Sequence, residues 1–186
     1  DLWFSYLVEI IKLSSFNVGY LLKQRGERYK GKVAFHIIKK GKPYNVSYDS
    51  LWKKVIEVGK GLSLFCNHSK KPTIGLLTHN QFNGVLVDLA CLSFGFKVVP
   101  IPLNSTPEHV SYIINHSEIS HLFICGKIGK KIWGKVKNSH DIIAIDMSEI
   151  KTTSNYALNW NSFISSSDTV EEFDVCLLYT SDAADD

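Results

Sequence analysis

The chain has 186 residues, of which 45% are apolar and 21% charged, a globular composition with length for about one domain that argues against disorder. The formal charge is +3, and only Arg25 and Arg28 among the 21 cations are arginines. Planar, bidentate recognition of phosphate or guanine favours Arg, so a nucleic-acid partner is not expected.

Residues 176–186 (CLLYTSDAADD) resemble the translated transposon-end adapter of shotgun sequencing libraries. We therefore expect natural sequence over residues 1–175 and an artefact over 176–186, with fragment boundaries at both ends, since the first residue is Asp1 rather than Met.

The opening run is apolar, but Asp1, Glu9 and Lys12 interrupt it, and its uncharged stretch is far shorter than the roughly 20 residues of a membrane span. Trp3, Phe4, Leu7, Ile10 and Ile11 fall at helical spacing. A packed helix is expected, with an interfacial membrane helix as the alternative.

Residues 33–38 and 43–48 read as the two strands of a hairpin, with Val33, Phe35 and Ile37 on one face. Asp49 or Ser50 is then placed to cap a helix whose apolar stripe is Leu51, Val55, Val58, Leu62 and Phe65.

Short apolar runs follow at 73–77, 96–101, 121–125 and 141–145, separated by helical segments, which predicts parallel strands with helical crossovers. The first crossover, 81–94, is apolar nearly all round and stops at Gly95. The second starts with Thr106 as cap, Pro107 at the first helical position and Glu108 at the positive end of the dipole, ahead of Val110, Ile113 and Ile114. In the third, Ile128, Ile132, Trp133 and Val136 are expected to face inward, leaving Lys127, Lys130, Lys131, Lys135 and Lys137 on a solvated face. The polar run 151–168 is expected to be irregular.

Few patterns carry chemistry. Cys66, Cys91 and Cys125 sit among apolar residues without a CxxC, which reads as buried reduced thiols. Four N-x-S/T sequons, at Asn45, Asn67, Asn104 and Asn115, have no signal peptide beside them. Seven histidines show no zinc-ligand spacing, so no metal site is expected. The turn after residues 73–77 (Thr78, His79, Asn80, Gln81, Phe82, Asn83, Gly84) lacks GxGxxG, which sets a dinucleotide domain aside, and GKIGKK at 126–131 lacks Walker spacing. His79 occupies a strand-to-helix junction, a position that can face a ligand crevice, although a loop histidine with no chemistry is the commoner outcome there.

The order of these pieces resembles the N-terminal part of the AMP-forming acyl-CoA synthetases of the adenylate-forming superfamily. The likeness covers most of residues 17–175 and is strongest over 73–124: Asn80 after the first core strand, DLACLSFG at 88–95, VPI at 99–101 and IINHS at 113–117. The wording is most similar to that of long-chain fatty acyl-CoA ligases, although Pro102, Leu103 and Asn104 depart from that subgroup and leave chain-length preference open.

The resemblance implies an α/β fold: an N-terminal hairpin and helix, then a mostly parallel sheet, together a partial adenylate-forming domain. It implies an acid–thiol ligase in which a carboxylate, expected to be a fatty acid, attacks the α-phosphate of Mg-ATP and coenzyme A thiol then displaces AMP. The expected location is cytoplasmic, with peripheral membrane contact as an option. The Gly-rich loop, nucleotide-contacting segments, hinge and C-terminal lysine of the family would all lie beyond Val175. No catalytic, cofactor-binding or metal-binding residue is therefore carried over, and residues 1–186 are expected to be inactive alone and to bind neither ATP, Mg2+ nor coenzyme A tightly. Tyr179, Thr180 and Ser181 also imitate the opening of the family's YTSGTTG loop, so the tail keeps two readings. A non-catalytic homologue or interaction domain, or an adenylation enzyme for another acid, stands as the alternative.

Overall fold

The computed structural model describes residues 2–13, 17–39, 41–65, 71–148 and 158–170. Cys66, Asn67, His68 and the tail from residue 171, with both of its readings, lie outside them.

Helix α1 (Leu2–Leu13) forms as its spacing predicts, and the side chains of Ile10 and Ile11 lie outside the described residues. Leu2, Trp3, Phe4 and Tyr6 are exposed, because no described element is laid over them. Helix α2 (Val18–Arg28) begins at Asn17, whose Oδ1 accepts the Tyr20 amide at 2.7 Å.

Strands β1 (Val33–Lys39) and β2 (Lys42–Ser47) form the expected antiparallel hairpin, turning at Gly41. A register shift between Val33 and Phe35 breaks the alternation, so Phe35 and Ile37 pack on the core while Val33 stays exposed. Helix α3 (Tyr48–Ser63) starts earlier than predicted, with Ser47 at the cap. Asp49 is held elsewhere: its Oδ1 accepts the Gly31 amide at 2.9 Å, which lowers the carboxyl pKa. Leu51, Val55, Val58 and Leu62 bury the predicted stripe.

Five strands make the central sheet: β3 (Thr73–Leu77), β4 (Lys97–Pro100), β5 (Ile119–Ile124), β6 (Ile143–Asp146) and β7 (Leu158–Asn159), in the order β4-β3-β5-β6-β7 and all parallel. The crossovers are α4 (Phe82–Phe94), α5 (Pro107–His116) and α6 (Gly126–Val136). Helix α4 ends at Gly95, whose φ of 69° is the left-handed cap that glycine adopts without cost. Helix α5 has the predicted start, Thr106 accepting the His109 amide ahead of Pro107.

Helix α6 is rotated from expectation. Its inward stripe is Gly129, Ile132, Trp133 and Val136, at i, i+3, i+4 and i+7, which leaves Ile128 57% exposed. Gly129 lets the helix touch the sheet: a Cβ there would stand 2.8 Å from the Leu77 carbonyl oxygen.

The stretch expected to be irregular contains β7 and helix α7 (Trp160–Ser166). Asn159 caps it by accepting the Ser162 amide at 2.9 Å, and Trp160 and Phe163 share one helical face. Phe163 is fully buried against Phe123, Phe65 and Trp160, so aromatic burial overrides a polar composition.

Two cores result. Helices α3 and α4 with Phe163 close one face of the sheet, and α5 and α6 close the other.

Candidate functional site

Strand β3 has β4 on one flank and β5 on the other. The chain leaves β3 through α4, which packs with α2 and α3, and leaves β5 through α6, which packs with α5 on the opposite face. The two helices diverge at the carboxyl ends of β3 and β5. An open parallel sheet binds ligands at such a switch point.

The β1–β2 hairpin walls one side of this crevice and makes it a cleft of about 780 Å³. Phe35, Ile37 and Tyr44 supply the apolar wall, and the Phe35 ring meets Phe82 at the start of α4 edge-on, with centroids 5.8 Å apart. The hairpin is thereby fixed to the helix that opens the cleft.

One carboxamide ties the floor together. The Cys125 thiol donates to Gln81 Oε1 across 3.2 Å, and Gln81 Nε2 contacts Met147 Sδ at 3.8 Å. Asn83 Nδ2 donates to the Met147 carbonyl at 3.2 Å. These residues stand just beyond β3, β5 and β6, so the hydrogen bonds join three strand ends. Burial pushes the Cys125 thiol up from its ordinary pKa, which favours the neutral form that donates to Gln81. Cys91 is buried too, and both are free thiols as read from the sequence; burial raises the Cys91 pKa strongly, with the charge of Asp88 adding to it.

His79 lies at the exposed rim, where its junction position placed it. Its Nδ1 is 2.8 Å from where a Cβ on Gly126 would sit. Gly126 has φ of 80°, so backbone and space both ask for glycine.

Beside the floor, Lys130 pairs with Asp146 at 2.7 Å, and its Nζ also donates to Ser148 Oγ at 2.9 Å. Asp146 Oδ1 accepts the Ser148 amide and hydroxyl. Lys130 therefore departs from the solvated face expected for it, whereas Lys127, Lys131 and Lys135 are exposed. The Asp146 side chain is only 3% exposed and draws the lysine inward.

The remaining described histidines are scattered. His121 stacks on Phe65 with centroids 4.1 Å apart, near the amino end of β5, and burial lowers its pKa to about 4. His36 bonds Asn45, and His140 bonds Ser111. Among the described residues no three of His, Cys, Asp or Glu group as metal ligands.

Reading the sequence marked the junction position of His79 without giving it a role, and did not find Gln81, Cys125 and Met147 as a set. The available signal was position: Cys125 is the last residue of a predicted parallel strand, and Gln81 and Met147 come within a few residues after the end of one, where cleft residues of such sheets gather.

A family model described as AMP-binding enzyme matches residues 22–181. The long-chain-fatty-acid–CoA ligase 6 of Mus musculus is 29% identical over 84 residues, which are 44% of this chain and 12% of that protein. The fold matches the coronafacic acid ligase of Pectobacterium brasiliense with a TM-score of 0.69 at 20% identity, covering 81% of this chain and 29% of that one. A benzoate CoA ligase from Burkholderia xenovorans LB400 matches with a TM-score of 0.66 at 19% identity, over 81% and 28% respectively. The chain thus spans less than a third of each of these proteins.

Proposed function

This chain belongs to the AMP-binding enzyme family, and from that premise we propose that it is the N-terminal part of an ATP-dependent, AMP-forming acyl-CoA ligase. The match over residues 22–181 is the observation that carries the reading. In this proposal a carboxylate displaces pyrophosphate from the α-phosphate of ATP, giving an acyl-adenylate, and coenzyme A thiol then displaces AMP. Residues 1–175 are taken as an incomplete AMP-binding domain and 176–186 as an adapter artefact.

The described residues do not suit a triphosphate. The cleft floor is made of a carboxamide, a thiol and a thioether, and Lys130 beside it is committed to Asp146. No step of phosphate chemistry is assigned to them. Phe35, Ile37, Tyr44 and Phe82 suit the carbon skeleton of an acid, so this part of the chain contributes scaffold and a wall of the substrate side. A fatty acid is the proposed substrate, supported by the likeness to the mouse long-chain ligase. Because such acids partition into bilayers, cytoplasmic residence with peripheral membrane contact belongs to the same reading.

The test is to sequence the source DNA outward from the codons for Asp174 and Val175, then assay the extended protein for acid-dependent ATP–pyrophosphate exchange. A Gly-rich phosphate loop and exchange driven by long-chain acids are expected. Exchange driven only by aryl or amino acids would overturn the substrate, and a frame continuing DAADD without a glycine loop would overturn the enzyme. The 186-residue chain itself is expected to release no pyrophosphate above a blank.

A further inference from the structure

We propose that the cleft floor takes a soft monovalent metal ion, Cu(I), held by Cys125 Sγ, Met147 Sδ and a ring nitrogen of His79, the Gln81 carboxamide filling the place between the two sulfurs until the ion displaces it. The proposal does not depend on the ligase reading, because all four residues belong to described strand ends and the turn after β3.

Three adjacent parallel strands deliver the donors to one place. His79 comes two residues after β3, Cys125 directly after β5 and Met147 directly after β6. Backbone bonds keep these ends in step: the Cys125 amide donates to the Leu77 carbonyl at 3.3 Å and the Met147 amide to that of Ile124 at 2.9 Å. All three side chains line the same cleft. Gly126, next to Cys125, leaves the room that a Cβ would take from the His79 ring, whose Nδ1 is 2.8 Å from that point.

The second observation is what the sulfurs touch. Gln81 Oε1 is 3.2 Å from Cys125 Sγ and Gln81 Nε2 is 3.8 Å from Met147 Sδ, so one carboxamide separates the pair. A thiol is a weak donor and a thioether a weak acceptor, so the amide is held there loosely. Rotating it away leaves two sulfurs facing the space it occupied.

The donor set selects the ion. Thiolate and thioether sulfur are soft ligands that suit Cu(I), and imidazole also suits copper. A structural zinc site closes four positions with thiolate, imidazole or carboxylate, and calcium and magnesium take oxygen. The other histidine lining the cleft, His36, is bonded through Nδ1 to Asn45 Oδ1 on the hairpin. The set combines one cysteine and one histidine with a thioether, which histidine spacing in the sequence could not reveal. On binding, the S–H bond of Cys125 is replaced by an S–Cu bond and one proton passes to solvent; copper stays Cu(I) and no electron moves.

The test is anaerobic Cu(I) titration of the 186-residue chain carrying Cys66→Ser/Cys176→Ser, in competition with bicinchoninate, with the methionine methyl resonance recorded in parallel. Met147 is the single methionine of the chain, so that signal reports on this site alone. One ion per chain and a shifted methyl resonance are expected. Losing a ligand should cost at least what losing its outer partner does, so Met147→Leu and His79→Ala should each weaken binding about tenfold or more, and Cys125→Ser about a hundredfold. Gln81→Ala should bind more tightly, since no carboxamide has to leave. Circular dichroism checks that each variant is folded. Equal affinity in the parent chain, Met147→Leu and His79→Ala, with an unmoved methyl signal, would put the ion on the Cys125 thiol alone and overturn the site. Binding no tighter than that of Cys125→Ser overturns it as well.

Discussion

Gly61 of α3 lies under the ring of Phe163 in α7: a Cβ at position 61 would stand 2.7 Å from Phe163 Cζ and 2.8 Å from Cε2. The ring is fully buried among Phe65, Phe123 and Trp160 and has no free side to move toward. Glycine there costs about 1 kcal/mol of helix propensity and is kept by this contact. We expect Gly61→Ala to destabilise by about 1–2 kcal/mol in urea unfolding, the overpacking exceeding the propensity gain. In a Phe163→Ala background the same change should turn stabilising, so the double-mutant cycle reverses sign.

The pair of Lys130 and Asp146 makes a second prediction. Lys130→Met leaves a carboxylate that is only 3% exposed without its cation, and a loss of about 2–4 kcal/mol is expected. Lys130→Met/Asp146→Leu should recover most of it, because a buried pair replaced by apolar groups is close to neutral. Equal losses in the single and double variants would contradict this.

His121 gives stability a pH dependence. Burial against Phe65 lowers its folded pKa to about 4 from the ordinary 6.5, so the native state binds fewer protons than the unfolded chain between those values. Its contribution is complete above pH 6.5 and is lost as pH falls toward 4, by up to about 2–3 kcal/mol. Lys71 and Glu118 line the small pocket beside the ring. Denaturant midpoints between these pH values should flatten in His121→Phe, which keeps the stack and removes the titration.

At the cleft rim, Gly126→Ala meets two obstacles, a φ of 80° and the His79 ring. A loss of about 1–2 kcal/mol is expected from the backbone alone. His79→Ala combined with Gly126→Ala should recover only the part due to the ring, which chemical unfolding of the three variants separates.

What was legible depended on whether the signal was local. Thr106, Pro107 and Glu108 specify the start of α5 by their own capping chemistry, and Gly95 ends α4 by its own backbone freedom. Helix α7 carried a comparable signal in Asn159, Trp160 and Phe163, but serine and asparagine around it masked two aromatic residues whose burial needs partners far along the chain. The rotation of α6 was hidden because it turns on Gly129, a residue with no hydropathy to read, and on Asp146, which reaches Lys130 only once β6 is in place. In the site, His79 followed from topology, whereas the joining of Gln81, Cys125 and Met147 is a property of three strands in register.

The contact of Gly129 with the Leu77 carbonyl bears on how variable the cleft is across sequences. Leu77 ends β3, immediately before the turn that carries His79 and Gln81, and Gly129 is one turn into α6, just past Cys125. The gap between those elements is thus gauged by a hydrogen atom. Each carbon added at position 129 would act as a shim, tilting the helix start away from the strand end. A graded series at that one position would tune the aperture while leaving every residue that lines it unchanged.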